Sequence, residues 1–218
     1  MRFLVAICSL ALAACGQMSD TPSASVAQAQ TQTDFQTVVR MVEPVAEARC
    51  RVVAPQRNCD FEIVVDDRPG RPANARQSYA EGGTPVLTIT QAMIAETQTP
   101  EELAFVLAHV AGHHIAGLIP RLRLLATTGE DRPDALALQA GGSETFDPTP
   151  EGVALARGKL HAFELEADAI GAQIIAAAGN DPLTAAAIFG RLPDPGAGSK
   201  GTHPSNQARV EAIRQAVN

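Results

Sequence analysis

The chain has 218 residues, 45% of them apolar and 19% charged, enough for one well-cored domain with appendages. A formal net charge of −7 with no Lys/Arg cluster excludes a nucleic-acid partner, because phosphate binding needs a concentrated basic face. Rich in alanine, free of tryptophan and only 4% aromatic, the composition excludes an all-β sandwich; the expected fold class is α+β, mainly helical.

Met1-Arg2 is a charged start, and Phe3 to Ala14 is an apolar stretch. A bilayer span needs about 18 or more apolar residues, so residues 1–14 read as a secretion signal rather than an anchor. Leu12-Ala13-Ala14-Cys15 resembles the lipobox of bacterial lipoproteins, which implies cleavage before Cys15 and lipidation of its thiol. Gly16 stands where, in such lipoproteins, an aspartate favours inner-membrane retention; the expected location is therefore the outer membrane of a bacterial envelope, facing the periplasm. Residues 15–33 are Ser, Thr, Gln and Ala with almost no apolar periodicity and read as a flexible tether, with a reach of about 20–25 Å.

Residues 34–218 form the expected domain. Asp34 can cap a helix whose apolar positions are Phe35, Val38, Val39, Val42, Val45 and Ala46, with Pro44 kinking or dividing it. Cys8 leaves with the signal and Cys15 takes lipid, so Cys50 and Cys59 remain. In an oxidising compartment they suggest one disulfide, stabilising by about 2–3 kcal/mol; the alternative is two small buried thiols. Two β-branched runs, residues 61–65 and 85–90, predict a small antiparallel sheet, with a third strand from residues 51–55 and a polar connection over residues 66–83. Thr90 caps a short helix. Thr99-Pro100-Glu101-Glu102 starts a longer one, with Thr99 as N-cap and Glu102 closing a capping box; its apolar stripe is Leu103, Val106, Leu107 and Val110, and it ends before Pro120. Residues 120–148 have the length of a lid over a cleft. Further helices run from a Thr149 cap to Ala178, from Asp181-Pro182 to Leu192, and from Ser205 to Val217, with Gly179 as a C-cap.

His109 and His113 are i, i+4 on the long helix, so both imidazoles can face one metal ion. A third ligand must come from another element, and residues 161–168, His-Ala-Phe-Glu-Leu-Glu-Ala-Asp, offer candidates, with Glu164 and Asp168 again i, i+4. In an H-E-x-x-H helix the second residue is the general base that deprotonates metal-bound water. Here that residue is Val110.

Leu107-Ala108-His109-Val110-Ala111-Gly112-His113-His114, then Glu164-Leu165-Glu166-Ala167-Asp168, then Ala178-Gly179-Asn180-Asp181-Pro182 follow a familiar order. With Asn74-Ala75 before them and His203-Pro204 and Arg209 after, they make the chain resemble the HtpX and CAAX-prenyl-protease type of gluzincin zinc metallopeptidases, over about Asp34 to Val217. The resemblance implies a zincin-like metallopeptidase domain with the small sheet beside the active-site helix. It implies one Zn²⁺ held by His109, His113 and Glu164, with Asp168 orienting a ligand imidazole. It places His203 near the metal's open side, as a fifth contact or transition-state donor.

Val110 is the departure from the family pattern. A hydrocarbon accepts no proton, and general-base assistance is worth about 10²–10⁴-fold, so the expectation is zinc binding with impaired or absent peptide hydrolysis. Partners would be polypeptide substrates or clients of the envelope, besides the membrane that holds the lipid. Two alternatives stand beside this reading: an active metalloendopeptidase of envelope quality control that draws another base from Glu130, Asp131 or Glu144, and a structural metal-binding lipoprotein. His114 is expected to bond locally, His161 is a substitute nitrogen ligand, and Glu166 points away from the site, solvated or salt-bridged.

Overall fold

The computed structural model describes the backbone of residues 24–127, 150–194 and 203–218, and the side chains of residues 34–122, 157–194 and 203–218. The expected signal at residues 1–14, Cys15 and the bases sought at Glu130, Asp131 and Glu144 lie outside the described residues, as does the Thr149 cap.

Helix α1 (Ala24–Val53) begins ten residues before Asp34, inside the stretch expected to be tether. It runs unbroken through Pro44, where division or a kink was expected. Pro44 and Arg40, whose carbonyl loses its i+4 donor, are both exposed, so water can serve that carbonyl. Residues 51–53 close this helix and form no strand.

The sheet is mixed rather than antiparallel. Strands β1 (Glu62–Asp66), β2 (Ala75–Tyr79) and β3 (Pro85–Thr90) lie in the order β1-β3-β2, with β1 parallel and β2 antiparallel to the central β3. The third strand comes from the polar connection over residues 66–83, because an edge strand packs only one face and Ala-Arg-Gln-Ser-Tyr needs no second apolar face. The β2–β3 hairpin turns through Gly82 and Gly83, both at φ +88°, a left-handed conformation that glycine adopts freely.

Helix α2 (Gln91–Glu96) is capped by the Thr90 hydroxyl, and α3 (Pro100–Ala116) by the Thr99 hydroxyl, which accepts from the Glu102 N–H. Glu102 also accepts from the Gln98 N–H at 2.7 Å and is gripped by both terminal nitrogens of Arg191. Instead of showing one apolar stripe, α3 is buried almost all round, from Glu102 to Ile115 except for half-buried His109. It is the central helix of the domain and packs most extensively against α5, then α1. Gly117, at φ +77°, ends it.

Helix α4 (Leu118–Thr127) carries Pro120 in its first turn, where an N–H has no intrahelical partner to lose. Leu118 and Leu122 pack there with Leu160 and Phe163. Helix α5 (Pro150–Ala177) is followed by Gly179 at φ +83°, the short α6 (Pro182–Ala185) with its Asp181 cap, a 3-10 turn (Ala186–Gly190) and α7 (Asn206–Val217), capped by Ser205. No helix among the described residues is long and apolar enough to cross a membrane.

Candidate metal centre

Two helices can bring four functional side chains together only if their backbones come close, and small residues allow this. A Cβ on Gly112 of α3 would lie 2.5 Å from the Ala167 carbonyl oxygen of α5. One on Gly171 would lie 3.1 Å from the His109 backbone nitrogen. Gly112 and Gly171 therefore set the α3–α5 crossing, and that crossing brings the His109/His113 pair against the Glu164/Asp168 pair.

The ligand-capable atoms of His109, His113 and Glu164 all lie within 4.8 Å of one another, a group that could hold a metal ion. Glu164 Oε1 is 3.3 Å from His113 Nε2, and Oε2 is 3.5 Å from His109 Nε2, 3.6 Å from His203 Nε2 and 3.8 Å from Arg209 Nη2. Oε2 is buried with no hydrogen-bond partner among the described residues, since these separations are too long for one. Leaving a carboxylate oxygen so costs free energy that a cation among these atoms removes. Two imidazole Nε2 atoms and a carboxylate are the donor set of a zinc site with an open position. The residues present therefore fit the ion.

Asp168 is fully buried and accepts a hydrogen bond from the Nδ1–H of His109 at 2.8 Å, leaving Nε2 for a metal. Arg209 of α7 donates to both Asp168 oxygens at 2.7 Å through Nε and Nη2 and lies over the Phe189 ring, 4.2 Å from its centroid. Its Nη2 also comes within 3.3 Å of His109 Nδ1, but two donors do not bond each other and the shorter Asp168 contact claims that proton.

Charge in the cluster follows from these contacts. Burial works against protonated His109, but the charge and hydrogen bond of Asp168 outweigh it and raise its pKa. His113 is lowered by burial and then by the charge of His109. Burial raises Glu164, yet the two imidazoles hold it well below the ordinary carboxylate range. Asp168, which burial also raises, ends below its ordinary value beside His109 and Arg209. His203 is lowered, by burial first.

The cluster opens on a cleft of about 500 Å³. His109, His203 and Arg209 line it together with the apolar side chains of Met93, Phe105, Val106, Ile188, Phe189 and Leu192 and with residues 73–75, which lead into edge strand β2. Val110 is fully buried in the main core.

His203 stands beside the cluster with its side chain 47% exposed. His161 is half-buried and outside the three-residue group. Glu166 pairs with Arg121 rather than with the site. His114 bonds away from the cluster, but not locally as expected: its Nε2–H donates to the Asn58 carbonyl, 56 positions away in sequence, at 2.8 Å, and its pKa is lowered, by burial first. Cys50 and Cys59 form a disulfide with Cα atoms 5.7 Å apart.

The partnership of Arg209 with Asp168 was not read from the sequence. The signal was present: Arg209 shares one face of α7 with buried Ile213, and an arginine on a buried face calls for a carboxylate.

No curated protein matches the chain. Residues 151–217, which carry Glu164, Asp168, His203 and Arg209, match the family model of Peptidase family M48.

Proposed function

We propose that this metallopeptidase-family protein binds one zinc ion through His109, His113 and Glu164, engages extended polypeptides in the adjoining cleft, and hydrolyses them poorly or not at all. The observation that carries the reading is Val110: the position next to the first histidine is a fully buried hydrocarbon, while His109, His113 and Glu164 bring their ligand atoms together. A bound zinc ion would supply Lewis acidity to an oxygen in its open position. Asp168 and Arg209 hold the His109 ring with Nε2 toward the site. Val110 offers no atom to take a proton. Binding and hydrolysis, usually inherited together, are thereby separated.

In this reading the signal at residues 1–14 directs export and is removed, and lipidated Cys15 with the segment after it anchors the domain at the outer membrane, facing the periplasm, where its clients are envelope polypeptides.

The test uses the full chain with zinc and an unfolded polypeptide. Zinc close to one per chain and client binding without cleavage are expected. Cleavage that His109→Ala abolishes would overturn the impaired-hydrolysis reading in favour of an active endopeptidase using another base. Absence of bound zinc would overturn the ligand assignment.

A further inference from the structure

The two candidate imidazole ligands are held differently. His109 is fixed by Asp168 at its Nδ1, whereas His113 Nδ1 is buried with no hydrogen-bond partner among the described residues. Besides the His109 ring, 4.5 Å away, the orientation of His113 then depends on the placement of the helix end that carries it.

That helix end is gripped through the next residue. Asn58 offers His114 only a carbonyl oxygen, so His114 Nε2 is the donor; Nδ1 is then the acceptor and faces Gln77 Nε2 at 3.4 Å. The edges of Phe61 and Tyr79 meet its ring at centroid distances of 5.3 and 5.8 Å. Beside it, Arg57 Nη1 donates to the His114 carbonyl at 3.1 Å, in space that Gly117 leaves free: a Cβ there would lie 2.1 Å from the guanidinium. Arg57 and Asn58 belong to the loop closed by the Cys50–Cys59 disulfide. Gln77 lies on β2, the strand whose first residue, Ala75, lines the cleft.

We propose that His114 is a positioning residue for the metal centre, clasping the His113 end of α3 to the disulfide-closed loop at Asn58 and to the cleft-side strand at Gln77. The inference rests on the metal-binding reading above. It assigns to the Cys50–Cys59 loop the task of holding the metal helix in register, beyond restricting the unfolded chain.

The experiment compares zinc affinity, by chelator competition, and the visible spectrum of the Co²⁺-loaded protein in the full chain, His114→Phe and His114→Gln. Phenylalanine keeps a ring of similar size without donor or acceptor; glutamine can donate to Asn58 and accept from Gln77. We expect His114→Phe to bind zinc at least about tenfold more weakly, with an altered cobalt spectrum, as for other groups that support a ligand from behind. His114→Gln should return to within about threefold of the parent. Equal affinity in all three overturns the proposal; so does loss in His114→Gln alone, which would mean that ring packing alone holds the helix, and so does equal loss in both, because the hydrogen bonds that glutamine restores would then not position His113. Should His114→Phe fail to fold, the double variant Cys50→Ala/Cys59→Ala serves: weaker zinc binding in its folded state supports the clasp, and parental affinity overturns it. A parent chain that binds no zinc overturns the metal reading with it, whereas a parent that binds while the variants match it overturns the clasp alone.

Discussion

Asp168 accepts a hydrogen bond from the Nδ1–H of His109 at 2.8 Å while both of its oxygens are held by Arg209. One carboxylate thus fixes the ring of a candidate ligand and neutralises a buried guanidinium. Asp168→Asn keeps the shape, loses the charge and leaves Arg209 without its counter-ion. Zinc affinity should fall about 10–100-fold, as for other groups behind a metal ligand. Stability should drop by about 3 kcal/mol, because breaking a buried pair strands its partner. Chelator competition and urea unfolding measure the two effects. An Asn variant with parental affinity would show that Asp168 does not orient His109.

Val110→Glu tests the separation of binding from hydrolysis. A carboxylate is placed where the core now excludes water, so the metal-free variant should be less stable than the parent by several kcal/mol. With zinc present, the new carboxylate gains a cation and a proton to accept, and cleavage of an unfolded protein should rise by about 10²-fold or more. Melting curves with and without zinc, alongside a gel-based cleavage assay, check both halves. A folded, zinc-loaded Val110→Glu chain that remains inert would mean that more than the base is missing.

The close approach of α3 and α5 makes two glycines behave in opposite ways. Gly112→Ala drives a methyl group to 2.5 Å from the Ala167 carbonyl, and backbone there cannot swing aside. Overpacking of this kind should cost about 1–3 kcal/mol and weaken zinc binding as the helices separate. Gly158→Ala, on the same α5 but with nothing within 4 Å of the new Cβ, should stabilise by up to about 1 kcal/mol and leave zinc affinity unchanged. Matched losses in both variants would remove the crossing from the account of the site.

Glu102, buried at the start of α3, gives a pH signature. Burial opposes its charge, but the Arg191 contacts and the backbone N–H of Gln98 lower its pKa below the ordinary 4.5. A carboxyl lowered by folding contributes its full stabilisation above the unfolded value and loses it as pH falls from about 4.5 through the folded one. Glu102→Gln should therefore be less stable than the parent by about 2 kcal/mol at neutral pH, a figure reduced because Arg191 is partly exposed. The difference should shrink below pH 4.5. Denaturant midpoints across pH 3–7 test this, and a gap independent of pH would rule out the ionised pair as its source.

Local chemistry was legible in the sequence wherever neighbours along the chain decide the outcome. Thr90, Thr99, Asp181 and Ser205 cap helices where their side chains invite it, Pro100 starts α3, and the i, i+4 spacing puts His109 beside His113 and Glu164 beside Asp168. Val110 was legible too, and with it the question of hydrolysis. The sheet was less so: β-branched runs mark β1 and β3, but β2 is polar and lies on an edge, and strand direction depends on pairing that no local pattern encodes.

Tertiary structure decided the relations between distant elements. That Gly112 meets Ala167, that Arg209 reaches Asp168 across 41 positions of sequence, and that His114 faces Asn58 rather than the cleft all depend on how helices pack. Residue types and spacings specify which side chains can bind a metal. Only the approach of α3 to α5, permitted by two missing Cβ atoms, brings the two histidines and Glu164 within 4.8 Å, because that distance is set by backbone volume at the crossing and not by the identity of the ligands.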